Sequence, residues 1–433
     1  MIKVRLGSGL SSVVLMTLLA TPVPAARAQQ PAAQAAPPAE SQLLQATDEL
    51  VDATARLRGL QPKGPIKKGV KSREEITNYM TRKIDEEYSP ERLRQEGRML
   101  KRLGLLPENI DYRQLVVNLL TEQVQGLYDP EERVLFIASW LPMFDQDSVM
   151  VHEITHALQD QHFDLRAIFR ANRASDNDDR TLAQQALFEG DGTVTALQYV
   201  IAPLKRHFSD LPDLAGVQEL QMEMMQSQSP VLASMPQFLK ATLVFPYGYG
   251  ASFLQQVWKH DPSWAAVDKI YADLPASTEQ IIHPEKYYAV RDDPKPVDAS
   301  LSAAKLGDGW NIPYKTVLGE FMLRQLLGLH FGEERAKRAA AGWGGDQLLL
   351  LENGAGKTAI WLETEWDTAE DAEKFYAAME EWLRLHRPKA ERNATGADSF
   401  TLAHDGELDA LLKSGTGVRV VIGIPEADAK AMQ

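Results

Sequence analysis

The sequence predicts a mostly helical α+β protein. From residue 43 onward, most of the chain carries apolar residues at the three- and four-residue spacing of amphipathic helices. Short runs of strand-like composition occur just before residue 138 and again near the end of the chain. Because these strands are grouped instead of alternating regularly with helices, we expect an α+β protein and not a parallel α/β sheet.

The first 28 residues have the features of a secretory signal peptide. Two basic residues precede the apolar run from Leu10 to Ala20, which is too short to cross a bilayer, and Ala26-Arg27-Ala28 forms an A-x-A cleavage pattern. Residues 29–41, rich in Ala, Pro and Gln, are expected to be a flexible linker. The chain contains no Cys, which excludes disulfides and a lipidated cysteine anchor. We therefore expect an exported bacterial protein, periplasmic or secreted.

The overall charge argues against two classes of partner. Lys and Arg number 46 against 60 Asp and Glu, which gives a net charge of −14. Such a charge disfavours nucleic acid and anionic membrane surfaces as partners. After the signal peptide, no segment is long and apolar enough to cross a membrane.

Residues 42–125 are predicted to form an N-terminal helical region. A helix is expected from about Leu43 to Leu57, and the capping box Ser72-x-x-Glu75 opens a second. Further helices are expected over residues 90–103 and 112–120.

A short hairpin is predicted next. Residues 126–128 and 133–137 have strand composition and are joined by Asp129 to Glu132, with Pro130 preset for a turn. The exposed edge of such a strand can pair with an extended peptide substrate by main-chain hydrogen bonds. An ordinary structural hairpin explains the pattern equally well.

The most informative stretch contains His152-Glu153-Ile154-Thr155-His156. Residues four apart project from one face of a helix, so the imidazoles of His152 and His156 can reach a single ion. The motif is short and arises by chance in long chains. Here its flanks are apolar, so the helix would bury two His and a Glu that need partners. A metal ion supplies those partners, and the sequence therefore predicts a metal site.

A catalytic zinc site needs a third protein ligand and an open position for water. Glu189, in the apolar-periodic segment from about residue 181 to residue 204, is the candidate third ligand, and Asp191 is the alternative. Asp160 and Asp191 are candidates for orienting the imidazoles by accepting their second N–H groups. Either could instead be a solvated acid on a helix face.

The set His152, Glu153, His156 and downstream Glu189 resembles the gluzincin metallopeptidases, the thermolysin-like group. The resemblance covers roughly residues 120–205. It implies one Zn²⁺ per chain, Glu153 as general base, and hydrolysis of peptide bonds in a peptide or protein substrate, by an endopeptidase. The interval between His156 and Glu189 is longer than in thermolysin, and we expect residues 163–180 to absorb the difference as a loop.

Gluzincins also stabilise the developing oxyanion with a His or Tyr that follows the third ligand. A capping box opens a short helix that Pro284 ends, so His283 occupies a rigid position and is our candidate. Tyr287 and Tyr249 are the alternatives, and Tyr249 lies in residues 245–250, where we expect a turn. This part of the chain resembles a stretch in secreted bacterial proteins that carry HExxH. A packed His283 with no catalytic role is the competing interpretation.

We assign residues 126–291 to a zincin-like catalytic domain and residues 297–433 to a small C-terminal α+β unit. In the C-terminal unit, helices are predicted over residues 314–329 and 368–385, and strands over residues 347–352, 360–366 and 418–424.

The sequence thus predicts a zinc-dependent peptidase. Two other functions fit the same motif: a zinc-binding cell-envelope scaffold without activity, and a zinc amidase that cuts a non-peptide or cell-wall amide. The scaffold would keep the ligands but would not depend on Glu153, whereas the amidase would keep all four residues.

Overall fold

A computed structural model describes residues 40–87, 89–123, 126–140, 143–217, 230–307 and 309–428. The predicted signal peptide, residues 1–28, and most of the predicted linker lie outside these described residues. Within the described part of the chain, no helix is long and apolar enough to span a membrane.

The described chain is α+β and mostly helical, as predicted. The helices are α1 (Glu40–Arg58), α2 (Arg73–Glu87), α3 (Pro90–Arg102), α4 (Tyr112–Gln123), α5 (Met143–Phe163), α6 (Leu165–Arg173), α7 (Asp178–Ile201), α8 (Pro230–Ser234), α9 (Gln237–His260), α10 (Trp264–Ile270), α11 (Thr278–Ile282), α12 (Glu285–Tyr288), α13 (Ser300–Ala303), α14 (Gly319–Gly328), α15 (Glu333–Ala340) and α16 (Ala369–His386). The strands are β1 (Lys67–Lys71), β2 (Gly126–Asp129), β3 (Val134–Ala138), β4 (Trp310–Thr316), β5 (Trp343–Asn353), β6 (Thr358–Trp366), β7 (Glu391–Gly396), β8 (Ser399–His404), β9 (Glu407–Ser414) and β10 (Gly417–Pro425).

The predicted hairpin is present as β2 and β3, which pair antiparallel. The sequence did not predict β1, which pairs parallel with β3 from Lys67 opposite Val134 to Lys71 opposite Ala138, so the sheet order is β1-β3-β2. Three of the five residues of β1 are lysines and no apolar alternation marks the strand. The sheet therefore contains a strand from the predicted N-terminal helical region.

Helices α1, α5, α7 and α9 pack around one another beneath this small sheet. The Phe245–Gly250 segment, predicted as a turn, lies inside the continuous helix α9, which contains Pro246. The second glycine of this segment has a packing role: a Cβ built on Gly250 would overlap the carbonyl oxygen of Ala186 on α7. Likewise, a Cβ on Gly190 would overlap the main chain of Gly250. The two helices therefore cross in backbone contact, which only residues without a side chain permit.

The expectation of a loop over residues 163–180 is also wrong. Helix α6 occupies Leu165–Arg173, capped by Asp164, whose carboxylate accepts the N–H of Ala167. Helix α7 then begins at Asp178, capped by Asn177. Four of the nine residues of α6 are Arg or Asn, and this polar composition led to the prediction of a loop.

The C-terminal unit is one antiparallel sheet with the order β4-β5-β6-β10-β9-β8-β7. The predicted strands over residues 347–352, 360–366 and 418–424 and the helix over residues 368–385 are confirmed as β5, β6, β10 and α16. The predicted helix over residues 314–329 is wrong in its first part, because Trp310–Thr316 is strand β4. Helix α14 starts only at Gly319, where Asp346 accepts the N–H groups of Leu318 and Gly319, both at 2.8 Å.

The N-terminal helices pack against the C-terminal sheet. One apolar cluster includes Ile84 on α2, Leu100 on α3 and Leu350 on β5, all at most 2 % exposed. At its rim, Arg98 and Arg102 on α3 donate to Glu352 and Glu407 at 2.8 and 2.7 Å. The sheet therefore belongs to the same packed structure as the helices that carry the site.

Candidate metal centre

Helix α5 places His152, Glu153 and His156 in the protein interior. The exposed fractions of these three residues are 0 %, 0 % and 2 %. The apolar neighbours of the motif, among them Val151, Ile154 and Leu158, belong to one buried cluster with β3 and α1. The apolar flanks that suggested a buried helix therefore anchor the motif as predicted.

Helix α7 brings Glu189, which is 4 % exposed, to the two histidines. Nε2 of His152 lies 2.9 Å from Nε2 of His156 and 3.1 Å from Oε2 of Glu189. Nε2 of His156 lies 3.4 Å from the same carboxylate oxygen. Ligands of tetrahedral zinc, with bonds near 2.0–2.1 Å, are about 3.3 Å apart. The three atoms thus converge as a zinc ion requires, after outward shifts of a few tenths of an ångström.

The charges in this cluster also favour a cation. Although burial opposes both shifts, the Glu189 carboxylate raises the pKa of His156, and the histidines lower the pKa of Glu189. Burial and the charge of His156 lower the pKa of His152 to about 4. Without a metal, this pocket therefore retains a proton between His156 and Glu189. A metal cation would take the place of that proton.

Glu153 points one carboxylate oxygen at the main chain and leaves the other unpaired. Its Oε2 accepts the backbone N–H of Tyr128 on strand β2 at 2.7 Å. Its Oε1 is buried and has no hydrogen-bond partner in the described part of the chain. Burial raises the pKa of Glu153 to about 8. The side chain is thus held in one orientation, with Oε1 left over for a further partner.

Strand β2 is one of the two edge strands of its sheet, and a substrate-pairing strand must lie at an edge. All four of its residues are buried, and the outward N–H of Tyr128 is bonded to Glu153. The edge of β2 therefore faces the candidate base, and substrate pairing along it stays a prediction.

Gln159 is a positioning residue that the sequence analysis missed. Its Oε1 lies 2.8 Å from Nδ1 of His156, and its Nε2 donates to the carbonyl oxygen of Phe188 at 3.1 Å. Gln159 therefore fixes the His156 ring and ties it to the residue before Glu189. The only signal in the sequence is its position three residues after His156, on the same helix face.

Asp160 and Asp191, expected to orient the imidazoles, bond to other groups. Asp160 accepts the hydroxyl of Tyr128 at 3.0 Å and lies 3.3 Å from Nε of Arg133. The two oxygens of Asp191 accept Nε–H of Arg58 at 2.6 Å and the hydroxyl of Tyr271 at 2.7 Å. Arg58 comes from helix α1 and is fully buried, so its pairing attaches that helix to α7 beside Glu189.

Gly192 provides the space for the His152 ring. A Cβ on Gly192 would lie 2.7 Å from Cε1 of His152 and 2.8 Å from both ring nitrogens. Gly192→Ala is therefore expected to push the ring off its ligating position and to lower zinc affinity by about 10–100-fold, the usual cost of disturbing the groups that orient a ligand. Competition with a chromophoric zinc chelator measures this affinity. Gly64→Ala, whose Cβ would meet nothing within 4 Å, is the control. Equal affinity for the two variants would contradict this role of Gly192.

The structure does not bring His283 or Tyr287 to the metal ligands. Nε2 of His283 lies 3.2 Å from the buried Glu320 and 3.3 Å from Nη2 of Arg324. The Tyr287 hydroxyl donates to the carbonyl oxygen of Asp273 at 2.7 Å. The rigidity inferred for His283 is present, but it holds the ring against α14 of the C-terminal unit.

Tyr247 stands beside the site and was missed. Its ring centroid lies 6.0 Å from that of His152, and the residue is 3 % exposed. Residues two apart on a helix point about 200° apart. Tyr249 therefore points away from the side of α9 that meets His152 and stacks on Phe245 instead. Because residues 245–250 were predicted as a turn, the sequence did not indicate that Tyr247 and Tyr249 lie on opposite sides of a helix.

Three further carboxylates come together around Lys286. Its Nζ lies 2.6 Å from Glu279, 2.9 Å from Asp292 and 2.7 Å from Asp367. A lysine thus already supplies the cation there, and the group joins α11 and α12 to the C-terminal unit. It is an ion-pair network and not a second metal centre.

Comparison with known proteins bears on the C-terminal unit alone. Residues 310–433 match a family model described as a domain of unknown function, DUF8575. No curated protein and no solved structure matches the chain. The candidate metal centre lies between residues 152 and 189, outside the matched segment, so the family match carries no information about its chemistry.

Proposed function

We propose that this protein is a zinc-dependent peptidase that hydrolyses peptide bonds. The observation that carries the proposal is the convergence of His152, His156 and Glu189 next to an unpaired oxygen of Glu153. Two imidazoles and one carboxylate are the donor set of a catalytic zinc site of the thermolysin type. If the leader at residues 1–28 directs export, the reaction takes place in the periplasm or outside the cell.

Glu153 acts as the general base. Its Oε2 stays on the N–H of Tyr128, and its Oε1 accepts the proton of the attacking water. The same carboxyl group then donates that proton to the leaving amine nitrogen. A bound Zn²⁺ would lower the pKa of a coordinated water to about 7 and polarise the substrate carbonyl.

Tyr247 is our candidate for the oxyanion donor, in place of His283, Tyr249 and Tyr287. Support comes from its ring contact with the ligand His152, whereas His283 and Tyr287 hydrogen-bond to groups outside the site. A phenolic hydroxyl is a suitable donor to a developing oxyanion. Its loss would lower kcat with little effect on metal content.

A structural metal centre in an inactive scaffold is the second candidate. The burial of His152, Glu153, His156 and Glu189, each a residue at most 4 % exposed, favours it because closed metal sites are typical of structural zinc. A zinc amidase would use the same residues on another amide. Only the bonds that are cut separate this amidase from the peptidase.

The test is digestion of a diverse peptide mixture by the purified protein, read by mass spectrometry beside a measurement of bound metal. We expect about one zinc per chain, together with cuts that disappear with a chelator and return when Zn²⁺ is added. Stoichiometric zinc without any cut would overturn the peptidase and leave the scaffold or the amidase. Protein without metal, whose melting temperature is unchanged by chelator, would overturn the metal centre itself.

A further inference from the structure

A concave site lies between helix α9 and the α14–α15 pair. This cleft has a volume of about 300 Å³ and is bordered by Gln237–Tyr249 on one side and Phe321–Lys337 on the other. Its walls carry five aromatic residues: Phe238, Phe245, Tyr249, Phe321 and Phe331. Pockets that bind small ligands are mostly apolar, contain a few polar groups and often form where two parts of a protein meet.

The cleft is distinct from the metal centre. No metal ligand lines it, and Ala241 and Phe245 on its wall point about 120° or more away from Tyr247, since successive helical residues turn by about 100°. Val244 lines the cleft and also packs in the apolar cluster that contains Tyr247. Helix α9 therefore separates the two sites.

The cleft lining offers cationic donors to an anion. The lining contains Lys240, Arg324, Lys337 and Glu333. Lys337 pairs with Glu333 and Glu334, and Lys240 donates to the carbonyl oxygen of Ala233, so Arg324 is the principal donor for a ligand. Arg324 is held in place because its Nε, at 3.0 Å, and its Nη2 both donate to the fully buried Glu320. Its Nη1 makes no hydrogen bond within the described part of the chain. An oriented guanidinium with a spare N–H group is suited to bind a carboxylate.

We propose that this cleft binds a free carboxylate joined to an aromatic or other large apolar group, which is the chemistry of a peptide's C-terminal residue. The apolar group packs on Phe245 and Phe321, and the carboxylate meets Arg324 with Lys337 nearby. A volume of about 300 Å³ suits a ligand the size of one residue. This binding does not depend on the zinc chemistry proposed above.

The test is calorimetric titration of the full protein with N-acetyl-L-phenylalanine, its amide and N-acetylglycine, in the presence of a metal chelator. We expect saturable binding of the acid and about tenfold weaker binding of the amide, the factor for one charge-assisted hydrogen bond. N-acetylglycine should also bind more weakly, because it lacks the aromatic group.

Two variants locate the binding site. Ala241→Trp fills the cleft from α9 and should abolish binding of the acid. Lys337→Gln should lower the affinity for the acid several-fold and leave the affinity for the amide unchanged. Lys374→Gln is the matched control, because Lys337 and Lys374 both pair with acids three and four residues before them. Equal binding of acid and amide, or binding that survives Ala241→Trp, would overturn the proposal. Binding of the acid that is absent with the chelator and appears in a parallel titration with Zn²⁺ would place the acid at the metal centre and also overturn the cleft.

Discussion

Replacing Glu153 with Gln is expected to lower kcat/KM by about 10²–10⁴-fold, the usual contribution of a general base, while zinc stays bound. Gln keeps the shape of the side chain, and its carbonyl oxygen can still accept the N–H of Tyr128 that Glu153 accepts at 2.7 Å. The amide cannot take a proton from water, so the chemistry is lost without loss of the fold. Kinetics on the best-cut peptide, run beside a zinc determination, measures both effects.

Two comparisons make this result specific. Glu370→Gln removes one carboxylate from an exposed site far along the chain and should change neither activity nor zinc content. Glu189→Gln should lose zinc and activity together, because it removes a ligand. A Glu153→Gln protein with full activity would exclude Glu153 as the base. If it lost zinc instead, Glu153 would belong to the ligand set.

The convergence of the three candidate ligands could be predicted because the rules that place them are local. His152 and His156 lie four apart on a helix, so the spacing alone places them on one face. Glu189 required one more inference, that a second buried helix would offer a carboxylate. The apolar spacing around Ala186–Gly192 predicted that helix. In contrast, Gln159 and Tyr247 act through the packing of α5 against α7 and α9, and no spacing rule describes that packing.

The same distinction separates the predicted from the missed elements of the fold. Strands β5, β6 and β10 have long apolar runs and were predicted. Strand β7 is exposed along its whole length, and β1 is rich in lysine, so neither shows the alternation of a half-buried strand. Their positions depend on pairing with β8 and β3, which only the folded chain provides. The sequence Asp405-Gly406 between β8 and β9 is typical of a hairpin turn and would have predicted this strand pair.

Gly250→Ala is expected to destabilise the protein more than any typical surface change. Alanine favours a helix over glycine by about 1 kcal/mol, but its Cβ would overlap the carbonyl oxygen of Ala186. Because that obstacle is backbone, helices α7 and α9 must move apart, and overpacking of this kind costs about 1–3 kcal/mol or more. We expect a net loss of about 2 kcal/mol in the free energy of unfolding.

Denaturant unfolding of metal-free protein measures this loss, since bound zinc would stabilise the folded state and obscure it. Gly328→Ala is the control: it also lies in a helix, α14, yet its Cβ would meet nothing within 4 Å, so it should be neutral or slightly stabilising. Equal stability of the two variants would mean that α7 and α9 do not touch at Gly250. If the crossing widens as expected, Tyr247 on α9 and Glu189 on α7 move apart. The value of kcat should then fall in the Gly250 variant and not in the Gly328 variant.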